Sequence, residues 1–456
     1  MQIIKKNDIP TELTIKIEKL SNLGLGISRY NGYVIFVKDA CPDDIVKIRL
    51  TKKNKNYGNA IIKEIITPSA YRTEPFCPMQ KICGACQLQF IKYEKQLDLK
   101  KEIVSDLING INTKLKNVIP SPKIKEYRHK IQYPITETKD SKRILAGYYK
   151  QDSHEIVNIK YCPIQPQYCD KIIDFIRTAA NSCCVSGYNE KTHKGMLRHV
   201  VIRTSDFNKE NLVTLVVNTD IISENIKKLA HEIYTKLEYI SGVCINLNNK
   251  KTNLILGNRT ICIEGNNYVK EKLTDKIFKI SPETFFQVNP YTANNIFEFI
   301  KEYISINFKL PSVLDAYAGI AAFGICLSDV ASQVVSVEEV KASTDLAIQI
   351  IKENEIKNVE VINSNADLYF KNENRNFDIT VLDPPRKGCS ELSLDNTIKL
   401  TKNKIIYVSC NPATLARDLK YLISKGCIVD FIQPFDMFPH TYHIENVAVI
   451  SIPPRL

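Results

Sequence analysis

Apolar and polar positions alternate in short runs over the first 68 residues: TELTIKIEKL, GYVIFVKD, CPDDIVKIRL and NYGNAIIKEII. Gly24, Gly26, Gly32 and Gly58 punctuate them. Several short strands with turns at this spacing predict a small β-barrel over 1–68. The next region, 69–279, is mixed. YEKQLDLKKEIVSDLING carries apolar residues at helical spacing (Leu97, Ile103, Val104, Leu107, Ile108) and meets a stop at Asn109-Gly110. The segment 93–118 is therefore read as helical and placed to pack on the region that follows. LRHVVIRTS and LVTLVVNT read as strands. From 280 to 456, apolar strands alternate with helical stretches: VLDAYAGIAAFG, VVSVEEV, DITVLDPP and IIYVSCNP. That rhythm predicts an α/β, doubly wound parallel sheet with ligands at the carboxyl ends of its strands.

Composition narrows the class. Of 456 residues, 44% are apolar and 25% charged, which excludes wholesale disorder. No stretch approaches the about 18 uninterrupted apolar residues of a membrane span. The N-terminus has no apolar core behind its lysines, so a cytoplasmic protein is expected. Sixty-two Lys and Arg against fifty Asp and Glu give +12, and +5 of that lies in the first 68 residues. This balance favours a polyanionic partner. Fourteen cysteines without a leader point to a reducing compartment rather than to disulfides.

The candidate chemistry sits in motifs. Cys77, Cys83 and Cys86, with Cys162 further on, could complete a four-sulfur shell. Spacing alone leaves zinc and iron–sulfur open, with buried free thiols as the bland alternative; Cys169, Cys183 and Cys184 are expected bystanders. VLDAYAGIAAFG places Asp315, Tyr317 and Gly319 at a strand-to-helix turn, with Ala321 where a second glycine is usual. Glu338 and Glu339 both qualify as the acid ending the next strand, and alternation lets only one face the crevice. The prolines of DPPRKG take the chain out of the sheet and leave Asp383 at a strand mouth. Cys410 precedes a helix N-terminus, where a thiol can become a nucleophile. His440, His443 and Glu445 precede the last strand. In SPETFFQVN, Gln287 follows Phe285 and Phe286. YRHKIQYP and LRHVVIR interleave cations with apolar residues, as a solvated strand face or an RNA contact would.

Taken in order, SPETFFQVN, DAYAG, VEEV, DPPRKG, SCNPATLARD and HIE resemble the RNA uracil-C5 methyltransferases. The resemblance is nearest to the RumA/RlmD-type 23S rRNA enzymes that carry an N-terminal TRAM domain, and it covers nearly the whole chain. It implies a class I, Rossmann-like methyltransferase domain after a TRAM barrel and an iron–sulfur domain. It implies S-adenosylmethionine bound at Gln287, Tyr317, Glu338, Asn365 and Asp383. Cys410 matches the family's nucleophile and Glu445 its proton-abstracting base. Cys77, Cys83, Cys86 and Cys162 match its 4Fe-4S ligands. A 23S rRNA substrate, no obligate protein partner and a monomer are expected. Ala322 and His129 depart from the family's usual asparagines. The chemistry accounts for the residue types. C5 of uracil is a weak nucleophile, and a thiolate adding to C6 raises its electron density. A base must then remove the C5 proton. A tRNA T-loop uracil enzyme is the alternative. An RNA cytosine-C5 methyltransferase is a rival with cysteine in the DPP motif, where this chain has Arg386 and, beyond it, Cys389. An inactive RNA-binding assembly factor is disfavoured by intact Cys410, Glu445 and Asp383.

Overall fold

The computed structural model describes residues 9–151 and 153–453; residues 1–8 of the region read as a barrel lie outside it. The N-terminal strands form one six-stranded sheet in the order Glu12–Lys16, Ile45–Lys53, Tyr57–Thr67, Tyr33–Lys38, Gly26–Tyr30, Lys19–Leu20. Strict alternation explains its inside and outside: YVIFVK buries Tyr33, Ile35 and Val37, and IVKIRL buries Val46, Ile48 and Leu50 while Lys47 and Arg49 face water.

The middle of the chain builds a second six-stranded sheet, ordered Arg259–Gly265, Ile240–Leu247, Glu210–Val217, Leu197–Ser205, Lys130–Glu137, Ile144–Ala146. Helices Gln167–Ser182 and Glu224–Lys236 press Ile172, Ile176, Ile226, Leu229 and Ile233 into its core. All nine residues of Leu197–Ser205 are buried. The cations of LRHVVIR are therefore neither a wet face nor an RNA contact. Arg198 donates to the carbonyls of Asn248 and Lys250, and Arg203 to that of Thr284. His129 of YRHK is likewise buried, its Nε2 3.2 Å from the Tyr291 hydroxyl.

The third sheet has eight strands: Val359–Asn363, Gln333–Glu338, Ser312–Ala316, Phe377–Leu382, Thr401–Ser409, Glu445–Ser451, Ile428–Phe435, Lys114–Leu115. The first five are parallel, as the alternating pattern predicts, but Glu445–Ser451 runs antiparallel to both neighbours. The order in which strands are added reverses at Ser312–Ala316, with later strands on both of its sides, and such a switch opens a crevice at the strand ends. This is a class I methyltransferase sheet.

Two boundaries differ from the pattern-based reading. The helix expected over 93–118 ends at Leu107, and Gly110 turns the chain at φ +84. Lys114–Leu115 then pairs in parallel with Phe431 and Ile432 as the sheet's last strand. The hairpin Val269–Leu273 and Lys276–Ile280 straddles the expected boundary at 279/280, and Val269, Phe278 and Ile280 pack in one cluster with Ile296 and Val313 of the third region. Helix Tyr93–Leu107 joins two bodies. Leu99 and Ile103 pack with Leu20 and Cys41 of the barrel, and Val104 packs in the catalytic core. Lys100, fully buried, pairs with Asp436 and donates to the Phe438 carbonyl. Among the described residues no helix is long and apolar enough to cross a membrane.

Candidate active site

The crevice is built on the end of Ser312–Ala316. Asp315 is wholly buried, and its Oδ2 accepts from the Gly324 N–H (3.0 Å) and the Ser336 hydroxyl (2.9 Å). Those bonds lock the turn. Burial and the nearby Glu338 push its carboxyl up to about 6. Tyr317, Gly319 and Ala321 all take positive φ (62, 56 and 56), so the chain folds back sharply. A Cβ on Gly319 would meet nothing within 4 Å, which leaves the space above the turn open. Glu338 is the acid that faces this turn: its two oxygens accept from the Gly319 N–H (2.9 Å) and the Val340 N–H (2.8 Å). Glu339 instead accepts from the Asn365 side chain (2.9 Å). Asn365 also caps helix Ala366–Asn372 through Asp367 N–H, so its side chain is occupied. Asp383, half-buried at the next strand mouth, is pushed up to about 7 by burial and by Asp315. Gln287 lies against His129, Lys130, Arg203 and Glu271 instead. The open turn, a carboxylate gripping backbone N–H groups and the orphaned, buried Asp315 Oδ1 suit a cofactor with hydroxyl and amine groups.

Sheet register brings Cys410 and Glu445 together. Thr401–Ser409 pairs antiparallel with Glu445–Ser451, and the last pair is Ser409 with Asn446. One step further, Cys410 faces Glu445 across the strand ends, on one side of the sheet. Glu445 is 4% exposed. Burial and Asp383 push its carboxyl well above the usual range, with Arg386 opposing. Burial and the Glu445 carboxylate push the Cys410 thiol up to about 11, against a lowering by the Arg386 guanidinium that hydrogen-bonds it. His443 beside them is pushed down to about 4 by burial and Arg386, and so stays neutral. Sequence reasoning noted Arg386 in DPPRKG but gave it no role; its place between Asp383 and Cys410 is set by the fold.

Two loops hold this arrangement. The Arg386 carbonyl accepts from the Asn411 side chain (3.0 Å) and the Thr414 hydroxyl (3.2 Å). Arg417 donates to the carbonyls of Lys387 (2.9 Å) and Cys389 (3.1 Å). Asp418 accepts from the Cys389 N–H (2.9 Å) and the Tyr407 hydroxyl (2.6 Å). Thus SCNPATLARD and DPPRKG are two halves of one clamp. Cys389 is buried within it, its thiol pushed up to about 12 by burial, and is poorly suited to attack a base.

Cys77, Cys83, Cys86 and Cys162 line one cavity with Tyr161, Ile159 and Ile164. Cys169 and Cys183 are buried outside it, and Cys184 is exposed. Among the described residues, no three His, Cys, Asp or Glu side chains are disposed to hold a metal ion. Burial pushes the Cys86 thiol up to about 12 and Cys162 further, while Arg128 acts on Cys86 in the opposite sense. A groove of about 770 Å³ runs between this loop, the barrel and the catalytic loop, lined by Leu23, Gln87, Tyr149, Lys150, His154 and Tyr442. The Tyr442 and His443 rings meet tilted, with centroids 4.4 Å apart.

A family model described as tRNA (Uracil-5-)-methyltransferase matches residues 92–451, and one for the TRAM domain matches 10–63. The chain is similar to an uncharacterized RNA methyltransferase of Oceanobacillus iheyensis, 33% identical over 457 residues and 98% of both chains. It is similar to another from Clostridium acetobutylicum, 36% identical over 460 residues and again 98% of both. Among solved structures it resembles the Pyrococcus abyssi tRNA (uracil-54, C5)-methyltransferase in complex with S-adenosyl-L-homocysteine. That match has 25% identity and a TM-score of 0.77, covering 96% of this chain and all of the other. The N-terminal β domain, the switch-point crevice and these matches agree: the chain belongs to the tRNA (uracil-5-)-methyltransferase family, with a TRAM domain before an S-adenosylmethionine-dependent catalytic domain.

Proposed function

We propose that the protein methylates C5 of a specific uridine in 23S rRNA, through a covalent bond between Cys410 and C6, to give 5-methyluridine. The observation that supports this most is the strand register that sets Cys410 against Glu445 with Arg386 beside the thiol. The Arg386 guanidinium stabilises the Cys410 thiolate as it adds to C6, and the added electron density moves to C5. S-adenosylmethionine, when bound, supplies the electrophilic methyl group. Tyr317, Glu338 and Asp383 hold it, and Asn365 fixes the crevice wall through Glu339, while Gln287 stands apart from this crevice. Glu445 then removes the C5 proton and Cys410 departs from C6. A carboxylate with a raised proton affinity suits that step. The target uridine must leave its stack to reach Cys410. The groove past Tyr442 offers an aromatic, lysine-bearing path for the flanking strand.

The four cysteines of the single cavity fit a four-iron, four-sulfur cluster. A cube sets its thiolates farther apart than one ion does, and the apolar lining shields it. Its place is in holding the loop and gripping RNA. We read the protein as a cytoplasmic monomer.

A tRNA T-loop uridine is the second reading, favoured by the similarity to the Pyrococcus enzyme. Mapping 5-methyluridine in 23S rRNA and tRNA from cells lacking this gene decides. Loss at one 23S position supports the first reading, and loss confined to tRNA supports the second. Loss of 5-methylcytidine alone refutes both.

A further inference from the structure

We infer that His440 is a positioning residue for the late half of the reaction, holding the turn that carries Glu445 while leaving Cys410 untouched. This rests on the roles proposed above for those two residues. His440 is 3% exposed and adopts φ +67, a left-handed turn unusual for histidine. Its backbone is gripped twice. The N–H donates to Gln96 Oε1 (3.0 Å), and the carbonyl accepts from the N–H groups of Gln87 (3.0 Å) and Leu88 (2.9 Å), directly after Cys86. Its ring is gripped as well. Nε2–H donates to the Ile124 carbonyl (3.0 Å), Nδ1 accepts from Gln96 Nε2 (3.2 Å), and the Phe76 ring meets it edge-on at 4.8 Å. These partners dictate a neutral imidazole with its proton on Nε2, because a second proton would face the Gln96 amide donor.

The grip therefore ties the turn to the cysteine loop, to helix Tyr93–Leu107 and to the segment leading into Tyr127, whose hydroxyl donates to the Pro439 carbonyl (2.9 Å). From His440 only four residues intervene before Glu445. Thr441 donates its hydroxyl to the Phe438 carbonyl (2.8 Å) and accepts from the His443 N–H (3.2 Å), so a shift at His440 passes down the turn. Cys410 is held from elsewhere, by the clamp of Asn411, Thr414 and Arg417 on the DPPRKG loop. The two reacting groups thus have separate anchors, and loosening one anchor separates the two chemical steps.

His440→Asn tests this in the full-length protein, since asparagine tolerates the left-handed turn but cannot reach Ile124. Gln96→Ala is the second variant; it keeps the histidine and removes its partner from the helix side. Each is assayed on RNA carrying 5-fluorouridine, where adduct formation reports Cys410. Each is also assayed on ordinary RNA in a single turnover, where decay of the methylated adduct reports Glu445. The expected result is adduct formation near the wild-type rate, with release slowed about tenfold or more, as an ångström-scale displacement of a reacting group produces. Equal slowing of both steps, or neither, overturns the inference. If His440→Asn does not fold, the same split in Gln96→Ala carries the conclusion. A wild-type protein that forms no Cys410 adduct refutes the catalytic roles themselves, and this inference with them.

Discussion

Replacing Glu445 by glutamine should make Cys410 more reactive even as it stops turnover. The thiol is held near 11 against an ordinary 9.0, with burial as the first cause and the Glu445 carboxylate as the second. Glutamine keeps the volume and the burial but removes the charge. Facing residues on adjacent strands bring their side chains to about 5 Å, where two unit charges at an effective dielectric of about 20 interact by ~3 kcal/mol. Cys410 is half-buried, so solvent screens part of this. A retained half or so, ~1.4 kcal/mol, corresponds to about one pKa unit. The thiol of Glu445→Gln should therefore titrate about one unit lower, and above the pH at which the wild-type Glu445 carboxyl ionises it should alkylate with iodoacetamide about tenfold faster. With fourteen cysteines in the chain, the rate must be read on the Cys410 peptide by mass spectrometry across pH 7 to 11. Arg386→Met should shift the profile upward, since its guanidinium lowers the thiol. A Glu445→Gln profile that coincides with the wild type, or moves to higher pH, would refute the electrostatic coupling.

Protein purified without oxygen should be brown and hold iron with acid-labile sulfide. Cys86→Ser should lose both, whereas Cys184→Ser should keep them; stoichiometric zinc without iron in the wild type would contradict the cluster. Lys52, Lys55 and Lys63 are exposed on the barrel. Their joint replacement by glutamine should reduce the slope of log affinity against log salt by about two for single-stranded RNA, measured by fluorescence anisotropy. Asp436→Asn leaves the buried Lys100 ammonium without its counter-charge, and should cost about 3–5 kcal/mol in urea unfolding. Lys100→Met joined with Asp436→Leu should recover much of that loss.

The strand-helix rhythm after residue 280 was readable because parallel strands buried on both faces are continuous apolar runs. Their ends named Asp383 and Cys410. The motif around Glu338 and Glu339 could not say which acid faces the turn; the hydrogen bond from Gly319 N–H decides for Glu338. Pairing of Cys410 with Glu445 was not readable from periodicity, because it depends on an antiparallel strand inserted into a parallel sheet. The buried cations of Leu197–Ser205 were misread because alternation presumes one wet face, and this strand has none. The anchors of the catalytic turn, Gln96 and Lys100, are ordinary polar residues on a helix. Their partners lie 344 and 336 positions away, beyond the reach of any local pattern.

That separation also sets a timetable for synthesis. Helix Tyr93–Leu107 leaves the ribosome long before Asp436, and at about 5–20 residues per second the wait is roughly 20 to 70 s. Through that interval Lys100 lacks its counter-ion and the strand Lys114–Leu115 lacks its neighbour. The barrel is finished first, and its Leu20 and Cys41 already cover Leu99 and Ile103, so the nascent helix has one partner from the start. The catalytic sheet is thus a discontinuous folding unit, closed only when the last strands reach back to residues made near the beginning. A fragment starting at residue 280 would lack its outermost strand and expose Ile428–Phe435 as an open edge, a template for pairing between copies.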